Sequence, residues 1–153
     1  LNSAEILDSI FSLRNYARGS TPLLGNLRKI AGGYKTGNYT ENDAIVLVFT
    51  DGEPNDGNMT DIQKLLRGRV KHVFVTFVMC TEDDDVVEAY NKYVDPIWGC
   101  DVSDDYRSKK REVERAGNSL NENKWLAIIV LGGKMPKYDK LDDPIRHCCC
   151  VIQ

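Results

Sequence analysis

The chain has 153 residues, 42% of them hydrophobic and 28% charged, with a net charge of −3. That is one domain's length with enough apolar content for a real core. It excludes a broadly basic nucleic-acid binder, and no run approaches the ~18 apolar residues of a spanning helix.

In chain order, Ile6, Leu7, Ile10, Phe11 and Leu13 recur at helical spacing and predict a helix over residues 4–16, with Ser3 as its cap. Gly19 to Pro22 break the pattern. Thr21 suits an N-cap and Pro22 an N1 position for a second helix, whose apolar face is Leu23, Leu24, Leu27, Ile30 and Ala31 and whose end is Gly32-Gly33. Tyr34 to Asp43 is polar and turn-rich. Ala44 to Thr50 (AIVLVFT) is a continuous apolar, β-branched run, the pattern of a parallel strand buried on both faces. A short helix over 59–67 follows, with Ile62, Leu65 and Leu66 inward and Gly68 as its stop. Val70 to Met79 predicts a second strand that includes His72. Strand, helix, strand makes a βαβ unit with a right-handed crossover. Further helices are expected over 82–94 and 104–116, the latter exposed, with a short third strand over 97–103 between them. Trp98 reads as a core or surface-anchor residue. Trp125 to Leu131 (WLAIIVL) is apolar without a diagnostic period. Its run into Gly132-Gly133 favours helix over strand. The fold class is therefore α/β, a doubly wound and mainly parallel sheet with helices on both faces over residues 1–133. Residues 134–153 read as a tail.

In such sheets ligands sit outside the carboxyl ends of the strands. Asp51 falls there, in the loop Thr50-Asp51-Gly52-Glu53-Pro54-Asn55-Asp56. Its carboxylates and amide are hard oxygen donors suited to Mg, Ca or Mn. The loop is not an EF-hand, because Asp56 stands where that motif needs glycine. The acidic run Glu82 to Asp85 suits the first turn of a helix. The basic run Lys109-Lys110-Arg111 is flanked by acids and reads as a solvated face. His72 and Cys80 have no catalytic companions in the sequence.

Two segments together, Gly19-Ser20-Thr21-Pro22-Leu23 and Val48-Phe49-Thr50-Asp51-Gly52-Glu53-Pro54, resemble the second and third motifs of a von Willebrand factor type A domain. The resemblance covers roughly residues 4–105 and takes in the Asp-rich stretch Cys100 to Tyr106. It implies a doubly wound fold and a metal-ion-dependent adhesion site. Thr21 would be a direct hydroxyl ligand to Mg or Mn, Asp51 would act through water, and an acidic side chain of a protein ligand would complete the shell. The family's first motif, Asp-x-Ser-x-Ser on the central strand, does not occur upstream of Thr21. The resemblance thus extends to half a sheet, with weak or absent metal binding and an exposed edge.

Cys150-Val151-Ile152-Gln153 reads as a CaaX box, with Cys148 and Cys149 beside it. The expectation is a prenyl group on Cys150, palmitoylation of Cys148 or Cys149, and residence on the cytosolic face of a membrane. A prenylated GTPase is excluded because no phosphate-cradling G-x-x-x-x-G-K-[ST] loop occurs. A phosphotransferase of the Asp-x-Asp class would need a second Asp where Glu53 stands. The alternatives are a metal-dependent hydrolase or phosphotransfer enzyme using the Asp51 loop, or a truncated chain without independent activity. The expected class is a binding module, not an enzyme, with no nucleic acid among its partners.

Overall fold

The structure is a computed structural model and describes residues 22–35 and 43–139. Its elements, in order, are α1 (Leu23–Lys35), β1 (Ala44–Thr50), α2 (Met59–Arg67), β2 (Val73–Met79), α3 (Asp84–Tyr93), β3 (Cys100–Ser103), α4 (Tyr106–Arg115), α5 (Glu122–Leu131) and α6 (Pro136–Asp139). The three strands are parallel and lie in the order β1-β2-β3. Ala44 pairs with Val73 and Thr50 with Met79, so all three carboxyl ends open on one rim. This is the α/β fold that the sequence predicts. The predicted helix over 4–16, Thr21, and the cysteines Cys148, Cys149 and Cys150 lie outside the described residues.

Alternation on the strands divides the sheet into two faces. Val73, Val75, Phe77 and Met79 face a core shared with α1, α2 and α3, joined by Ala44, Val46, Val48, Cys100 and Val102. On the opposite face α5 packs against the sheet. A smaller cluster of Val113, Leu120 and Ile128, with Tyr106, Trp125 and Tyr138 against it, ties α4, α5 and α6 together. Every residue of β2 is buried, as its unbroken apolar run demands.

β1 departs from the expectation that both its faces are covered. Ile45 is 38%, Leu47 37% and Phe49 64% exposed. Among the described residues β1 pairs only with β2, so it is an edge strand. The α5 cover is incomplete too, since Leu126 is 52% and Val130 41% exposed.

Local chemistry explains the element ends. Asn58 and Asp61 form a reciprocal capping box at α2: the Asn58 side chain accepts from the Asp61 N–H at 3.0 Å, and the Asp61 carboxylate accepts from the Asn58 N–H at 3.2 Å. Gly68 closes that helix by donating to the last carbonyls. Asn121 caps α5 by accepting from the Lys124 N–H at 2.9 Å, which makes 122–131 a helix. Gly32 and Gly33, expected to stop α1, lie inside it. His72 sits in the turn before β2 and not in the strand, and the third strand starts at Cys100, not at Ile97. Trp98 is exposed, with its ring 5.7 Å from Phe74. Beyond Gly133, where a tail is expected, Lys134 pairs with Asp43 at 2.6 Å and residues 136–139 form a helical turn.

Burial sets a pH limit. Desolvation pushes the Tyr90 hydroxyl up to about 12 from 10.0, and the Cys100 thiol up to about 11 from 9.0. The unfolded chain loses both protons first, so the folded state holds more protons at alkaline pH and stability falls as pH rises. The thermal midpoint is expected to hold below about pH 9 and to decline steadily towards pH 12. Tyr90→Phe should remove the upper part of that decline, and a midpoint flat across the range contradicts the burial of both groups.

Candidate functional site at the carboxyl rim of the sheet

β1 delivers Thr50, which is buried, and then Asp51, which is exposed. The turn between them is fixed by hydroxyls. Thr50 Oγ1 donates to the Gly52 carbonyl at 2.9 Å, and the Tyr90 hydroxyl from α3 donates to the same oxygen at 3.0 Å. The Cys80 N–H donates to the Thr50 carbonyl at 2.8 Å and anchors the strand end to β2. Asp51 and Glu53 therefore project into solvent from a held backbone, while Pro54 is buried beneath them.

Asp56, in the same loop, does not point outward as a spare donor. Its carboxylate accepts from the Leu24 N–H at 2.9 Å and from the Gly25 N–H at 2.6 Å. These are orphan donors of the first turn of α1, so Asp56 caps that helix from 31 residues away. A Cβ on Gly25 would lie 3.1 Å from Asp56 Oδ2, so glycine suits the close approach. Desolvation works to raise the Asp56 pKa, but the Gly25 and Leu24 N–H donors outweigh it and hold it below 3.8. The cap is thus complete above that value and is lost as pH falls through the lowered one. Asp56→Ala is expected to lower the thermal midpoint and to speed amide exchange at Leu24 and Gly25. Unchanged exchange there would count against the cap.

The other acidic stretches serve the backbone. Asp83 caps α3, accepting from the Asp85 N–H at 3.1 Å. Asp105 caps α4, accepting from the Arg107 N–H at 2.7 Å and the Ser108 N–H at 3.3 Å. A hydrogen bond from the Ser108 side chain, with these N–H groups, holds Asp105 below the ordinary carboxylate value. Trp125 Nε1 donates to the Asp104 carbonyl at 3.1 Å. In the basic run, Lys110 pairs with Glu114 at 3.9 Å as a solvated face would. Lys109 is instead buried and lies 3.4 Å from Glu112. Between α3 and α4 an open groove of about 990 Å³ reaches the rim, lined by Glu82, Asp84 and Asp105 together with Arg107, Arg111 and Arg115. Cys80 is exposed, just past the end of β2, and is not in a disulfide.

Among the described residues no group of three or more His, Cys, Asp or Glu side chains is arranged to hold a metal ion. Of the two residues expected at a Mg or Mn site, the rim contains Asp51, and Thr21 lies outside the described residues. Sequence reasoning missed the roles of Asp56 and Tyr90, because each acts across more than 30 residues. No family model, curated protein or solved structure matches the chain.

Proposed function

We propose that this chain is a protein-binding module whose recognition surface is the carboxyl rim of the sheet, with the Asp51 loop at its centre. One observation carries the reading. Asp56 ties the first turn of α1 to the loop that holds Asp51. Thr21 is three residues from Leu24, at most about 11 Å of extended chain. On this reading Thr21 and Asp51 share a role in which a protein ligand presents an acidic side chain to the rim.

The donor set does not fit a resident cation. Mg requires about six oxygens in near-octahedral array, and one hydroxyl and one water-mediated carboxylate fall well short. Mg or Mn would be held weakly, with most of its shell from water and the partner. In calorimetry of the chain with Mg or Mn chloride, we expect weak heats that vanish in Asp51→Ala. Tight, stoichiometric binding that persists in Asp51→Ala overturns the assignment.

The lipid anchor is a separate proposal. In a translation product that ends at Gln153, prenylation of Cys150 and palmitoylation of Cys148 or Cys149 would hold the module at the cytosolic face of a membrane. One lipid chain alone gives only marginal attachment. Mass spectrometry of the C-terminal peptide tests it, and an unmodified Val151-Ile152-Gln153 terminus on the native protein ends it.

A further inference from the structure

Two features coincide on Ile45, Leu47 and Phe49. Their side chains stand on the open face of the sheet. Their backbone groups also face the open edge. The Ala44 N–H donates to the His72 carbonyl at 2.8 Å, and the Thr50 carbonyl accepts from Cys80 at 2.8 Å. In a parallel ladder, alternate residues bond to the neighbouring strand. Ala44, Val46, Val48 and Thr50 thus bond towards β2, and the N–H and C=O groups of Ile45, Leu47 and Phe49 point the other way.

Edges of this kind are ordinarily blunted by charge, proline or a bulge. From Ala44 to Thr50 there is no charged residue and no proline, and the register to β2 runs without a bulge.

We propose that β1 pairs antiparallel with β1 of a second copy of this chain, making one continuous sheet of six strands about a two-fold axis at Leu47. The register is self-complementary. Leu47 meets Leu47 of the second copy, and Ile45 meets its Phe49, so every cross-strand pair on the open face is apolar. Leu126 and Val130 of α5, both exposed, flank this face. At each end Asp43 comes opposite Asp51 of the second copy. Lys134, 2.6 Å from Asp43, supplies the cation between them. Because both copies use the same edge, the contact closes as a dimer and does not propagate. Seven ladder residues span about 23 Å, a single strand-to-strand contact, so the dimer dissociates on dilution. This interface does not depend on metal binding at the rim.

The test is sedimentation velocity of the full chain over a concentration series, beside Leu47→Lys. Leu47 is already partly exposed, so the lysine is compatible with the monomer fold, and circular dichroism verifies that. The expected result is a concentration-dependent dimer for the native chain and a dissociation constant raised at least about tenfold in Leu47→Lys, where two cations meet on the axis. A second variant reads the register directly. Leu47→Cys, with Cys80, Cys148, Cys149 and Cys150 changed to serine, should form an intermolecular disulfide on mild oxidation. The directly opposed, hydrogen-bonded pair sits about 5.5 Å apart between Cα atoms, within disulfide range. The same background with Val46→Cys, whose side chain faces the core shared with α1, should not. A native chain that stays monomeric throughout, association that survives Leu47→Lys, or equal cross-linking at Val46 overturns the proposal.

Discussion

Phe77→Ala is expected to bring the domain close to unfolding at ordinary temperatures. Phe77 is fully buried on the central strand, at the heart of the core formed with α1, α2 and α3. Truncating a buried phenylalanine costs about 3–5 kcal/mol, against a total of about 5–15 kcal/mol for a domain. The loss should reach the rim as well. The Phe77 ring lies 5.1 Å from that of Tyr90, and the Tyr90 hydroxyl holds the Gly52 carbonyl beneath Asp51. Tyr90→Phe keeps the ring and drops only the hydroxyl, so its cost should be about 0.5–1.5 kcal/mol. Urea denaturation of the two variants separates packing from the hydrogen bond. Amide exchange at Asp51 and Gly52 then reports the loop, and it should quicken in both. A Phe77→Ala midpoint equal to the native one would mean that the core does not centre on β2.

What the sequence made legible follows from how local each signal is. The end of α2 was readable because Gly68 acts within a turn of the helix it closes, and the structure adds the Asn58–Asp61 box at its start. β2 was readable because seven apolar or β-branched residues in a row need cover on both faces, and the fold gives them that cover. The same reasoning applied to β1 overreached. An apolar run reports a strand's tendency to be covered, not whether the rest of the chain supplies a neighbour, and β1 has one neighbour among the described residues where β2 has two. α5 was ambiguous because its apolar residues circle the helix; the run into Gly132-Gly133 favoured helix, and the Asn121 cap fixes its start. At the rim, the position of Asp51 was legible as the end of an apolar strand. The work of Asp56 was not, because a carboxylate that caps a helix 31 residues earlier leaves no spacing to read. Arg69 is similar. It donates to the Val73 carbonyl at 2.7 Å, to Leu66 at 2.8 Å and to Trp98, fastening the turn after α2 to the entry of β3. No local pattern announces that role.

Gly132 and Gly133 set how closely the end of α5 approaches β3. Gly132 has φ −52° and ψ −57°, an ordinary helical conformation in which alanine is usually the better residue. Here the opposite is expected. A Cβ at Gly132 would overlap the Asp101 carboxylate, with Asp101 Cγ at 2.7 Å and the Ile128 carbonyl at 2.8 Å. Asp101 is buried on β3, opposite Thr76 of β2, so its short side chain cannot swing into solvent. Gly133 is close-packed as well, since its Cβ would lie 3.1 Å from the Gly99 carbonyl. Two glycines thus draw the end of α5 down onto the β3 side of the sheet. Ile45, Leu47 and Phe49 remain partly exposed on the face where α5 packs. Gly132→Ala must lift α5 or displace Asp101, at about 1–3 kcal/mol and more if both move. Asp101→Ala, made in the same background, should recover part of that loss. The pair should couple by about 0.5–3 kcal/mol in a double-mutant cycle, as groups in direct contact do. Strictly additive effects would show that the two do not touch, and a Gly132→Ala protein as stable as the native one would remove the reason for α5 to sit where it does.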